Sequence, residues 1–578
     1  MKNLILTLTA ALYLLNSLNA YSQELPHYMT DYEKELYKTY QPPFIDSDDT
    51  NPPPTPVRTM AEWEEVQGII VAWTSYTTII RQIVDYAQDE GLVFIVCSDS
   101  NSVKSFLTSG GVPLVNLKFI ITSFNSVWCR DYGPWAAYSG ISDSLKLIDW
   151  IYNRPRPLDD AVPVGFSNYT GIPLYQTTQS PNDLTATGGN FMVDGNGTGF
   201  SSKLILNENS SKTEAQIDTI MSRYMGIRRY IKMNTLPYDQ IHHIDMHIKL
   251  LDEETLLVGQ YPAGVADGPV IEANLQYVLN NFQTCYGRPY KVIRIPMPPN
   301  AQGQYPDNGA NYFTYTNSVF INKTVIVPVY GLPQDTTALR IYRESLPGYR
   351  IVSINCSSMI SALGAIHCIT KEIGVPEPVF ISHSKLLNTS NTVTPYEVKA
   401  YIRTRSGISN AKVFWSTDTA QGFNQLTMAP SAGDTFRVSI PQQPLGTKVY
   451  YYISAVSVSG RTVTKPLTSP SGNYQFRIEN TTSAGELSQI VNGYELYQNY
   501  PNPFNPVTNV EFGIPKQGFV SLKVYDMLGK EVATLVNENL SPGNYTVNFN
   551  GSNFSSGVYF CKMESGEFKN IKRMVLIK

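Results

Sequence analysis

The sequence predicts an α/β domain followed by two β-sandwiches, and three observations carry that reading. Strand-helix-strand alternation recurs from Arg58 to about residue 385, the pattern of an α/β fold. Helical periodicity then vanishes over 386–480, where short apolar or alternating runs sit between Gly, Pro, Ser and Asp turns. That is the texture of an immunoglobulin-like sandwich. After a Thr/Ser/Gly linker at 481–488, a last β-patterned module occupies 489–578. A chain of 578 residues is too long for one core, which fits several domains.

The elements follow in order. Lys2 and the apolar stretch Leu4 to Leu15, then Ala20 and Ser22, read as a cleavable signal peptide over residues 1–22; the stretch is too short to span a bilayer. Residues 23–57 are polar and proline-rich, ending in Asn51-Pro52-Pro53-Pro54-Thr55-Pro56. Proline opposes helix and sheet interiors, so a pro-segment or extended lead-in is expected there. Gly68-Ile69-Ile70-Val71-Ala72-Trp73 reads as a buried strand and Leu92–Cys97 as another. Between them Ile79, Ile80, Ile83, Val84 and Ala87 mark one face of a helix over 78–90. Downstream, Val398–Arg403, Ala411–Ser416, Thr435–Ile440 and Val449–Val456 read as strands.

The formal net charge is −4 with no long basic run, which argues against nucleic acid as a partner. Six cysteines, at 97, 129, 285, 356, 368 and 561, are too few for a disulfide scaffold, and none forms a C-x-x-C pair.

Four segments place reactive residue types together. Val127-Trp128-Cys129-Arg130-Asp131-Tyr132-Gly133-Pro134-Trp135 sets a carboxylate beside an aromatic plate, suited to a planar cation, although Asp before Gly-Pro also forms turns. Thr187-Gly188-Gly189-Asn190 lets backbone approach a ligand. His242-His243-Ile244-Asp245-Met246-His247 holds three of the chain's six histidines. As a strand it would put His243, Asp245 and His247 on one face, either as zinc ligands or as acid/base and substrate-binding groups. In Ile366-His367-Cys368-Ile369-Thr370, Cys368 is either an inert core thiol or a nucleophile.

In this order the four segments resemble the guanidino-group-modifying superfamily, in the branch of agmatine deiminase and the secreted Porphyromonas-type peptidylarginine deiminases. The resemblance covers about 58–385 and implies a pseudo-fivefold α/β propeller. It implies Cys368 as nucleophile, His243 as general acid/base, Asp131 and Asp245 as guanidinium clamps, Trp128 as a pocket wall, and Asn317 in Tyr315-Thr316-Asn317-Ser318 as a polar active-site residue. Such chemistry needs no metal or organic cofactor.

Asn153-Arg154-Pro155-Arg156-Pro157 separates the substrates. Agmatine deiminases carry an Asn-Ala-Trp-Gly-like run there, whereas the secreted enzymes have an arginine pair that grips a C-terminal carboxylate, work that suits the guanidinium fork. Arg154 and Arg156 match that pair, the alternative being two solvated surface arginines. Lys249-Leu250, where agmatine deiminases tend to have Arg-Phe, points the same way. The expectation is a secreted deiminase acting on C-terminal peptidyl-arginine, with agmatine as the alternative substrate. A metal-dependent amidohydrolase and a non-catalytic surface binding protein are more remote.

Residues 489–578 resemble the C-terminal sorting domain of type IX secretion cargo. The matching pieces are Tyr500-Pro501-Asn502-Pro503-Phe504-Asn505-Pro506, Val524 to Val532, Ser556-Gly557-Val558-Tyr559 and Lys572-Arg573-Met574. This implies the secretion machinery as a partner and a secreted or outer-membrane-attached location.

Overall fold

The computed structural model describes residues 25–42, 50–479, 485–487, 494–499, 501–515, 518–540 and 543–578. The expected signal peptide lies outside the described residues. The chain divides into two compact units: one runs to Pro378 apart from Glu254–Val258 and Pro289–Arg294, and the other comprises those two segments and Val379–Lys578.

The lead-in is not simply extended. Asp31–Tyr37 is a helix opened by a capping box, in which Glu33 N donates to Thr30 Oγ1 at 3.2 Å and Thr30 N donates to Glu33 Oε2 at 2.8 Å. The prolines that discourage helix lie at 42, 43, 52–54 and 56, beyond its end, and Thr-x-x-Glu is an N-terminal helix signature.

From Val57 to Gly374 one pattern repeats: a short strand, a longer strand, a helix and a strand. Trp135–Ser139 pairs antiparallel with Ser144–Tyr152, Val162–Thr170 forms a helix, and Leu174–Thr177 returns parallel. Met192–Val193, Thr198–Ser202, the helix Glu214–Met225 and Arg229–Met233 repeat it. So do Val319–Ile321, Thr324–Val329, the helix Gln334–Ser345 and Arg350–Asn355. Ile248–Asp252, Thr255–Gln260 and Lys291–Pro296 form a sheet in the same order, with the helix Gly268–Asn281 before the last strand.

The remaining unit is assembled from distant sequence. Val66–Ala72 and Leu92–Cys97 are parallel around the helix Thr77–Gln88, and their antiparallel first strand is Lys371–Gly374. These strands are buried on both faces, which explains the unbroken apolar run Ile69-Ile70-Val71-Ala72.

The repeat positions the chemistry. Each unit's first strand is preceded by a tight turn: Cys129–Tyr132, Gly188–Asn190, Ile244–Met246, the loop at Asn317, and His367–Ile369. The four motif segments and the Asn317 loop are these turns, whereas Arg154 and Arg156 lie just after the strand Ser144–Tyr152.

Beyond Phe380 the chain is β-rich. Tyr396–Arg403 and Thr435–Ile440 lie in one sheet and Ile408–Ser416 and Lys448–Ser457 in another, and Val398, Ile402, Val413 and Ile453 share a core between them. Further on, Val507–Ile514 with Gly543–Asn550, and Gly518–Tyr525 with Glu531–Leu540, Gly557–Ser565 and Phe568–Leu576, enclose a second apolar core. Among the described residues, no helix is long and apolar enough to cross a membrane.

Candidate active site

Cys368 sits in the single turn His367–Ile369 and is fully buried. Asn317 holds it: Nδ2 donates to Sγ at 3.1 Å, while Oδ1 accepts from His367 N at 3.0 Å. The thiol faces Asp245 Oδ2 at 3.7 Å. Burial pushes the thiol well above its usual range, and the charges of Asp245 and Asp131 push the same way. These surroundings favour the protonated sulfur in the resting site.

Asp131 is completely buried and accepts the Gly189 amide at 3.1 Å. Burial favours its neutral form, but His27 and His243 outweigh that and hold the carboxyl below the usual range. His243 Nε2 lies 3.0 Å from Thr187 Oγ1, and its Nδ1 lies 3.7 Å from Asp131 Oδ1 without a hydrogen bond. Burial lowers His243 to about 4, so its ring is neutral at neutral pH. A Cβ on Gly189 would come within 2.5 Å of His243 Nδ1 and 3.2 Å of Asp131 Oδ1. Only a bare backbone fits there, which gives the paired glycines their physical reason.

Sequence reasoning missed a second layer. His367 Nδ1 lies 2.6 Å from Asp245 Oδ2 and its Nε2 lies 2.8 Å from Glu62 Oε1. Lys249 Nζ donates to Glu62 Oε2 at 2.6 Å. Asp245 thus ends a buried chain through His367 and Glu62 to Lys249, and its Oδ1 has no hydrogen bond. Beside it, Arg130 forms a two-point pair with Glu372 at 3.0 and 2.6 Å and donates to the His367 carbonyl. The available signal was that His367 and Arg130 adjoin Cys368 and Asp131, since a charged neighbour inside a tight turn needs a buried partner of its own.

The strand expected through His243, Asp245 and His247 is not formed. Ile244–Met246 is a 3-10 turn, and the strand begins at Ile248. Period-two facing therefore fails. Both nitrogens of the buried His247 ring lack hydrogen bonds, and burial lowers its pKa to about 4. Among the described residues, the group of three His, Cys, Asp or Glu side chains whose ligand atoms all lie within 4.8 Å of one another is His27, Asp131 and His243; His247 is not in that group.

Arg154 and Arg156 are buried, at 5% and 1% exposure, which removes the solvated-surface reading. Both reach the lead-in. Arg154 Nε donates to the His27 carbonyl at 3.1 Å, and Arg156 grips Glu33 with Nε–Oε1 at 2.7 Å and Nη2–Oε2 at 3.2 Å. Trp128 is buried and stacks flat on the His27 ring, with centroids 4.4 Å apart. The geometry thus brings Cys368, His243, Asp131, Asp245, Asn317 and Trp128 together, with the arginine pair joined to them through the lead-in.

A Legionella pneumophila protein provisionally named agmatine deiminase is 24% identical over 336 residues, covering 54% of this chain and 88% of its own. The agmatine deiminase of Pseudomonas syringae pv. tomato is 24% identical over 292 residues, covering 46% and 79%. A solved structure, also provisionally named agmatine deiminase, superposes with a TM-score of 0.50 at 19% identity, covering 55% of this chain and 96% of that one; it shows the shared fold. Residues 498–578 match the secretion system C-terminal sorting domain, which points to type IX secretion and an extracellular or cell-surface location. Residues 58–374, more than half of the chain, match the model of the Porphyromonas-type peptidyl-arginine deiminases, and the chain belongs to that family.

Proposed function

We propose that this deiminase hydrolyses the guanidinium of arginine, preferring arginine at a peptide C-terminus, to citrulline and ammonia through a covalent intermediate on Cys368. The supporting observation is the convergence of a buried thiol, two buried carboxylates and a neutral histidine from three repeat units, His243 and Asp245 sharing one turn. In the same reading the repeats close into a pseudo-fivefold propeller and 386–480 is an immunoglobulin-like sandwich.

A guanidinium is a poor electrophile, so positioning and charge must do most of the work. Asp131 and Asp245 hold the cation, and Trp128 covers its face. The incoming positive charge reverses the field that keeps Cys368 protonated. The thiol proton passes to His243, and the sulfur bonds to the guanidinium carbon. The carbon–nitrogen bond then breaks as His243 returns the proton to departing ammonia. His243 next takes a proton from water. The new carbon–oxygen bond forms, the carbon–sulfur bond breaks, and His243 returns its proton to the sulfur to restore the thiol. The ureido group sheds its extra proton to solvent, where ammonia becomes ammonium. Asn317 fixes the sulfur throughout.

Arg154 and Arg156 would bind the substrate's carboxylate. That contact is worth about 1.5–3 kcal/mol. In Arg154→Ala/Arg156→Ala, kcat/KM for a C-terminal-arginine peptide should fall roughly tenfold to hundredfold relative to agmatine, which has no carboxylate. Anything competing for the pocket affects both substrates alike, so the ratio isolates the contact. An unchanged ratio overturns the peptide preference. Agmatine hydrolysis to N-carbamoylputrescine is the second reading, favoured by the relatives' names. It wins if wild-type protein turns over agmatine faster than the peptide.

A further inference from the structure

We propose that Leu25–Glu33 is a pseudosubstrate: His27 takes the place of the guanidinium and Glu33 the place of the substrate carboxylate, and the enzyme is latent until this segment is cut or displaced. The inference rests on the assignment of the pocket made above.

His27 is fully buried and occupies the substrate's expected seat. Its ring lies parallel to Trp128, with 11° between the planes, and meets His243 edge-on at 4.9 Å. Nε2 lies 2.5 Å from Asp131 Oδ2, and Nδ1 lies 2.7 Å from the Leu363 carbonyl oxygen. A carbonyl and a carboxylate only accept. Both ring nitrogens must therefore donate, and the group on Trp128 is a planar, delocalised cation with N–H donors in its plane. Those are the features of a guanidinium. The imidazole is nevertheless part of an aromatic ring with no amine to expel, so it fills the pocket without being consumed.

The rest of the segment continues the mimicry. Arg156 holds the Glu33 carboxylate at two points and donates to the Pro26 carbonyl at 2.8 Å. Arg154 takes the His27 carbonyl at 3.1 Å, Trp128 Nε1 donates to the Leu25 carbonyl at 2.9 Å, and His27 N donates to the Ala362 carbonyl at 2.9 Å. The capping box at Thr30 fixes the turn that presents Glu33. With His27 seated, a cavity of ≈ 370 Å³ remains beside Arg154, and Tyr28 and Met29 of the segment, with the adjoining Lys34, form part of its lining. Tethering makes this occupant an intramolecular competitor at an effective concentration that reaches the millimolar range for short linkers.

The test uses the full chain with a protease site engineered between Tyr40 and Gln41, before and after cutting, alongside a His27→Ala/Glu33→Gln variant. Two rates are read: alkylation of Cys368 by iodoacetamide, followed by mass spectrometry of its peptide, and turnover of benzoyl-arginine. Release should raise both by about tenfold or more, since apparent affinity scales with the open fraction. Faster alkylation without turnover in any form supports the pseudosubstrate while defeating the deiminase reading. Equal alkylation of Cys368 in uncut, cut and variant protein overturns the pseudosubstrate. So does full turnover in the uncut chain, an outcome that leaves the deiminase reading standing.

Discussion

Cys368 and Cys561 are both inaccessible to solvent, yet they occupy opposite kinds of interior. Cys561 lies in the strand Gly557–Ser565, opposite Val524 and inside a core of Val, Leu, Ile, Phe, Tyr and Met side chains. Burial alone pushes its thiol up to about 12. Cys368 is buried among Asn317, Asp245 and Asp131. In the resting site those carboxylates raise its pKa further, so an elevated thiol pKa does not separate Cys561 from the cysteine proposed as nucleophile. The difference lies in what the surroundings can receive. The tail core is filled and apolar, whereas the carboxylates around Cys368 call for a cation, and a bound cation lowers the barrier to ionising the sulfur.

The sharpest way to break this contrast is to remove each thiol. Cys368→Ala should reduce turnover by at least about a thousandfold. Cys561→Ala should leave kcat/KM unchanged and cost on the order of 1 kcal/mol in stability, for a small cavity in an apolar core. Kinetics and thermal melting of the two variants decide it, and equal losses of activity would erase the distinction. Next in size, Asp131→Asn and Asp245→Asn each remove a clamp and should lower kcat/KM by roughly a hundredfold, measured on the released enzyme. Smaller still is Glu62→Gln, which weakens the support behind His367 and Asp245. About a tenfold loss, mainly in kcat, is expected, and an unchanged rate would reduce that buried chain to a structural role.

The smallest effect on turnover, though not on stability, concerns the loop leading to His243. Burial raises the Asp239 carboxyl from 3.8 to about 7, with Asp245 and Asp267 adding to it. Between those values the native state binds more protons than the unfolded chain, so stability falls as pH rises through that window. Asp239→Asn cannot ionise. Relative to wild type it should gain up to about 4 kcal/mol between pH 4 and 8, read from urea melts at both pH values. Parallel pH dependences would contradict this.

How much of this was legible varies with how local the cause is. Leu92–Cys97 and Thr435–Ile440 form strands with the residues that their apolar patterns indicate. The tail's alternation is equally local, with every second residue of Gly557–Ser565 buried from Tyr559 onward. In the site, the motif residues could be named because each carries its chemistry in a short segment. Their arrangement could not. His243 was read on a strand because alternation is the only geometry that such spacing suggests, whereas the chain makes a 3-10 turn there. The bonds from His367 to Asp245 and to Glu62 join residues 122 and 305 positions apart. The lead-in was the least legible part. Its prolines dominate the composition, while its decisive contact joins His27 to Asp131 across 104 positions, and no local pattern encodes that pairing.

The most direct test of the central claim is to trap the intermediate. Enzyme freed of its lead-in is mixed with benzoyl-arginine, quenched with acid within a turnover, and digested for mass spectrometry. Covalent catalysis predicts an adduct of substrate less ammonia on the peptide carrying Cys368, absent from Cys561 and decaying as the ureido product forms. Product formation with Cys368 unmodified at every quench time, and retained in Cys368→Ala, would contradict it.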